Sequence, residues 1–157
     1  MLKSSERGQA VVEFALVMPF LLLFIFGIAY MGFLFSDYLT LSNLARSSAR
    51  EASITAQQVY GNGKDTGSIQ QSYNTVQKKY AKLAAETQHM YEVSSADYKI
   101  RPVMENGQVH DVSVTIHATI KEDNSAIRAI KNLIPASIQE FEIQYQMLQE
   151  GYLQQEQ

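Results

Sequence analysis

The residue types that carry chemistry are few in this chain and badly spaced for most of it. There is no cysteine, which excludes a thiolate nucleophile, a thiolate metal site and a disulfide framework. Of the histidines His89, His110 and His117, the last two fall on one alternating segment at opposite parity. They therefore face opposite ways and cannot share a metal. Glu140 and Glu142 share a strand face and could form a carboxylate pair, but on an alternating strand they read better as a solvated, edge-protecting face. The run Gly61-Asn62-Gly63-Lys64-Asp65-Thr66 resembles a fragment of a phosphate loop without the full spacing or a preceding strand. No H-E-x-x-H, G-x-S-x-G or Walker-type loop occurs. The expectation is a chain that is not an enzyme, with no catalytic residues, no cofactor, no metal and no small-molecule substrate.

One carboxylate stands in the wrong solvent. Glu13 lies at the mouth of the stretch 14–35, which contains no charged residue. As a helix that stretch extends ~33 Å, about one hydrocarbon core. A carboxylate at the membrane centre costs ~2.5–3.5 kcal/mol on insertion scales, and less near the edge, where it can snorkel to headgroups. Gly8, preceded by Arg7, offers a second way to satisfy it. A cut between Gly8 and Gln9 creates an α-ammonium one helical turn from Glu13. In a bundle, the ammonium of one subunit can neutralise the carboxylate of its neighbour and so fix their register.

The apolar run is too long for a secretory signal, and Phe33, Leu34 and Phe35 crowd the place where a small-residue cleavage site belongs. A retained single span is the better reading. Lys3 and Arg7 precede it while Asp37 opens the other flank, so the N-terminus is expected in the cytoplasm and the C-terminal part outside. Beyond Arg50 the chain carries more acid than base, and no basic surface for nucleic acid is evident.

Tyr30, Leu34, Tyr38, Leu41, Ala45, Ser48 and Ala52 recur at steps of three and four, which predicts one helix from about 11 to 57. Its Ala- and Ser-rich second half suits close approach by other helices. Arg46 and Arg50 share a face there, either solvated or at headgroups, or in contact with acidic partner surfaces. Gly61-Asn62-Gly63 marks a turn. Ser68 and Gln71 then form a capping box for a second amphipathic helix over about 68–91, with Ile69, Tyr73, Val76, Tyr80, Leu83, Thr87 and Met90 as its stripe. Strict alternation follows over 98–104, 112–120 and 141–147. Asn106-Gly107 turns the first strand into the second. A short helix over 124–133, ending before Pro135, joins the second strand to the third. If that helix is a crossover, the spatial order is 2-1-3.

The fold class expected is α+β: a long N-terminal (trans)membrane helix, a second amphipathic helix, and a small three-stranded antiparallel sheet with one short helix. The sheet buries one face under helices and offers the other to water. The domains expected are a leader at 1–8, the long helix at 9–57 with its span about 14–35, an extracytoplasmic domain at 58–149, and a polar tail at 150–157.

Arg7-Gly8, Glu13-Phe14-Ala15-Leu16, Pro19, the apolar run through Gly27-Ile28, and Ala45-Arg46 with Ala49-Arg50 together resemble the type IV prepilin class. The fuller resemblance is to the TadE-like pseudopilins of the tight-adherence (Flp) pilus system, over about the first third of the chain. It implies a pilin-like fold and removal of residues 1–8 by a prepilin peptidase, leaving Gln9 as the mature terminus. It implies that Glu13 and the adjoining Phe14 serve registration or assembly, and that Pro19 permits local unwinding. It implies a minor subunit in a bacterial inner membrane that helps start or cap an adhesive pilus. Its partners would be other pilins, pseudopilins and the assembly platform. The size of the soluble part suits the minor TadE or TadF type. The competing reading is an unprocessed, membrane-anchored binding domain outside the cytoplasm.

Overall fold

A computed structural model describes residues 3–61, 66–86, 88–105, 108–122, 128, 131 and 135–148. The elements are α1 (Lys3–Gly61), α2 (Thr66–Glu86), β1 (Tyr91–Glu92), β2 (Tyr98–Glu105), β3 (Gln108–Ile120), α3 (Ala136–Gln139) and β4 (Glu140–Leu148). The chain divides into two compact units, Met1–Ser36 and Asp37–Gln157. The described residues of the first are helix alone. The second holds the rest of α1 and all the other elements.

Within the second unit, the small-residue stripe of α1 does not wait for another helix. Leu41, Ala45, Ala49, Ala52 and Ala56 are all fully buried in the unit's own core. The Tyr98 hydroxyl on β2 donates to Ser48 Oγ at 2.7 Å, and Ser53 Oγ donates to the Leu148 carbonyl of β4 at 3.5 Å. Alanine and serine let the sheet come close, so the expectation of a face built for other helices is corrected for this half of α1. Ala45→Leu should overpack that contact and cost about 1–3 kcal/mol, measurable by chemical denaturation of the full chain in detergent.

α2 stops at Glu86, short of the expected end near 91. The N–H groups of His89, Met90 and Tyr91 all donate to the Asp37 carboxylate and are therefore not available for helical carbonyls. The helix also starts at Thr66, which leaves Ser68 inside it and not at its cap; the Ser68 carbonyl accepts from Ser72 Oγ. Ile69, Tyr73, Val76 and Tyr80 are buried as the pattern requires, but the stripe continues through Ala84, while Leu83 is 38% exposed. Thr87 lies outside the described residues.

Among the described residues the sheet has four strands, not three, and each pair is antiparallel. β3 is central, which overturns the order 2-1-3. β2 and β4 overlap along β3, pairing with it from Tyr98↔Ile116 and from Thr119↔Glu140, so they occupy opposite edges. β1 meets Thr119 and Ile120 of β3 and shares the β2 edge, because β4 already occupies the other side of Thr119. The turn 94–97 separates β1 from β2, with the Asp97 N–H donating to the Ser94 carbonyl. The connection from β3 returns β4 antiparallel, as a long hairpin and not a crossover. Pro102 suits this placement: its nitrogen faces away from β3, where a further strand would lack a ladder donor.

Val112, Val114, Ile116 and Ala118 of β3 are fully buried, and the intervening Ser113, Thr115 and His117 are half-exposed. The expected division into a covered face and a wet face holds. β2 and β3 pair as far as Glu105↔Gln108; the turn residues Asn106 and Gly107 are outside the described residues. So are Asn62 and Gly63, the tail from 149, and most of the helix expected over 124–133, of which Arg128 and Lys131 are described as helical.

Candidate functional site

Two regions of α1 carry the residues singled out by sequence. In the first unit, Gly8, Gln9 and Glu13 are exposed. Phe14, Phe20, Leu23, Phe24, Phe26 and Ile28 are each 63–74% exposed. Apolar side chains open all round a helix are matched to lipid or to other helices, and not to water. This helix is long and apolar enough to cross a membrane. A Cβ added at Gly8, Gly27 or Gly32 meets nothing within 4 Å, so the smallness of these positions serves no packing inside the chain. Pro19 is inside α1. It gives no N–H to the carbonyl one turn back, which weakens the helical ladder six residues beyond Glu13.

In the second unit the structure brings together residues that sequence reasoning left apart. Asp37 is fully buried. Its Oδ2 accepts from the Met90 N–H at 2.7 Å, the His89 N–H at 3.0 Å and the Tyr91 N–H at 3.1 Å. His89 Nδ1 stands 3.0 Å from Oδ1. Burial pushes the Asp37 carboxyl upward, but the hydrogen bonds from Met90, His89 and Tyr91 outweigh it and hold its pKa below the ordinary value. The carboxylate thereby fixes the incoming strand β1 to α1. The available signal was its place in the stripe: stepping by threes and fours through Asp37, Leu41, Ala45 and Ser48 puts an acid where Tyr38 was expected, and Tyr38 is 46% exposed.

Arg46 and Arg50 are both exposed and differ in surroundings. Arg46 Cζ lies 5.9 Å from the Tyr145 ring centroid on β4, a contact available at modest strength to a partly solvated guanidinium. Arg50 lines a shallow groove with Ser47, Ile54 and Thr55 of α1 and Tyr80 of α2. Beside it, Glu51 accepts from Lys79 Nζ at 2.7 Å and from the Tyr80 hydroxyl at 2.9 Å. Lys79 holds the Glu51 carboxyl low; burial, and then Glu51, push the Tyr80 phenol up to about 12. Among the described residues, no group of three or more His, Cys, Asp or Glu is placed to hold a metal. His110 and His117 lie on β3 with their pairs Asp111 at 2.7 Å and Glu140 at 4.0 Å.

A family model described as TadE-like protein matches residues 8–50. Over that stretch the chain is TadE-like. Similarity to that family over this segment suggests a Tad pilus-system context with other pilus components. No curated protein and no solved structure gave a match. The TadE-like segment includes both the exposed apolar helix and the part of α1 that reaches Asp37, Ala45 and Ala49. It therefore covers two kinds of helix surface, an exposed apolar one before residue 37 and a partly core-facing one after it.

Proposed function

We propose that this TadE-like chain is a minor pilin-like subunit, a pseudopilin, for assembly of a tight-adherence pilus. It is anchored by α1 in the inner membrane with its N-terminus in the cytoplasm and its second unit outside. A prepilin peptidase cuts after Gly8, Gln9 becomes the terminus, and the new ammonium pairs with Glu13 of a neighbour, Phe14 packing beside it. Pro19 lets the helix yield near that pair. Arg46 and Arg50 face outward to neighbouring subunits or headgroups. The role requires no catalysis of its own.

The observation that carries the reading is the TadE-like match over 8–50, which spans these residues together. A lone carboxylate at the edge of an exposed apolar helix supports it, because such a group needs a compensating charge. The test is the mature N-terminal residue after co-expression with a prepilin peptidase. Gln9 is expected; an intact Met1 points instead to an unprocessed, membrane-anchored binding domain, a terminus near Ala29 points to a cleaved secretory signal, and either overturns the reading.

A further inference from the structure

The two outer edges of the sheet are treated differently. In β3 the odd-numbered residues bond toward β2, as the His117 N–H does to the Asp97 carbonyl at 3.0 Å. The even-numbered residues of β3 therefore bond toward β4, where Val112, Val114, Ile116 and Ala118 meet Met147, Tyr145, Ile143 and Phe141. On the outer edge of β2 the outward positions are closed. Gln77 Oε1 of α2 accepts from the Ile100 N–H at 3.2 Å, Pro102 has no N–H, and a register shift follows at Val103/Met104. These are the ordinary means of blunting an edge.

On β4 the same parity turns the main chain of Glu140, Glu142, Gln144, Gln146 and Leu148 outward; Ser53 Oγ of α1 donates to the Leu148 carbonyl, and the other four form the open part of the edge. All four residues are exposed, and among the described residues nothing bonds their main chain. The strand is 9 residues long, has no proline or lysine, and pairs with β3 without a register shift. Its wet face carries Glu140 and Glu142 at one end and no cation. Its other face presents Phe141, Tyr145 and Met147 half-buried at the rim.

We propose that β4 accepts an extended segment of a partner polypeptide as a further strand, one alternating apolar residues with basic ones that meet Glu140 and Glu142. Main-chain hydrogen bonds supply the affinity, and the paired carboxylates and the apolar rim supply the choice of partner. A second copy of this chain is a poor occupant: its β2 edge is closed, and its β4 brings the same carboxylates and no cation. This surface is built from the second unit alone, and the proposal stands whether or not Gly8 is processed.

The experiment uses the full chain in detergent micelles with fluorescent nine-residue peptides alternating valine with lysine, or valine with glutamate. The lysine peptide should bind and the glutamate peptide should not. Gln144→Pro removes one outward N–H and leaves the ladder to β3 intact; losing about 1–1.5 kcal/mol of hydrogen bonding should weaken binding about tenfold. Should that variant fail to fold, the double variant Glu140→Lys with Glu142→Lys serves in its place and should exchange the preference of the two peptides. Binding of neither peptide makes the glutamates edge protection only and overturns the proposal. Equal binding of both, or concentration-dependent self-association through β4 without peptide, overturns it as well.

Discussion

Asp37→Ala should destabilise the second unit by about 3–5 kcal/mol, since it leaves buried donors facing a void where a charge had been. Whole domains are stable by only ~5–15 kcal/mol, so the variant is expected to be partly unfolded or degraded. Three successive main-chain N–H groups converge on this one carboxylate. The His89 ring is the lesser contributor, because it is 60% exposed while the carboxylate is almost wholly buried. His89→Ala should therefore cost no more than about 1 kcal/mol. Asp37→Asn keeps an acceptor but loses the charge, and should fall between the two.

The pH dependence has a definite sign. The folded pKa of Asp37 lies below its ordinary value, so its stabilisation is fully present above about pH 4, the unfolded value. It is lost as pH falls through the folded pKa. Denaturation midpoints of the full chain in detergent, followed by near-ultraviolet circular dichroism between neutral and acid pH, give the check. Wild type should lose a component in acid that Asp37→Asn lacks. An Asp37→Ala variant within 1 kcal/mol of wild type would show that the carboxylate does not hold β1 to α1.

Glu13→Ala is expected to act the other way round, with no effect on folding and a large one on assembly. Glu13 is exposed in the chain alone, so its removal takes away no internal contact, and the unfolding midpoint should be unchanged. In a packed assembly it leaves the neighbour's Gln9 ammonium without its counter-charge. An uncompensated buried charge costs ~3 kcal/mol or more, about a hundredfold in incorporation. Pilus-associated protein, measured by immunoblot of sheared pili against the membrane fraction, gives the size of the loss. Glu13→Gln keeps the shape without the charge and should lose nearly as much. Normal pilus output from either variant would remove the ion pair from the mechanism, even if cleavage after Gly8 were demonstrated.

Much of the architecture was legible because it is written in local periods. Steps of three and four give α1 and most of α2; steps of two give β2, β3 and β4 with the correct face inward, except at Met104, which lies beyond the register shift in β2 and is 52% exposed. The errors came from pairings between residues far apart in sequence. The end of α2 could not be placed because residues 89–91 leave the helix for a carboxylate on α1. The same contact starts β1, a strand of 2 residues too short to show any alternation. The sheet order failed at the direction of the β3–β4 connection, although Pro102 already argued against a central first strand.

Sequence alone determined what residues 8–35 are suited to, because that depends on solvent preference and on local chemistry. An uncharged stretch of this length, a carboxylate at its mouth, and glycine and proline at fixed offsets need no partner to be read. Only the tertiary structure decided what the rest of α1 does. A stripe of alanine and serine fits a neighbouring helix or a sheet equally well, and the choice depends on which surface the chain itself brings within reach. Here Tyr98 meets Ser48 and the 89–91 segment closes on Asp37, so the stripe belongs to the domain's own core.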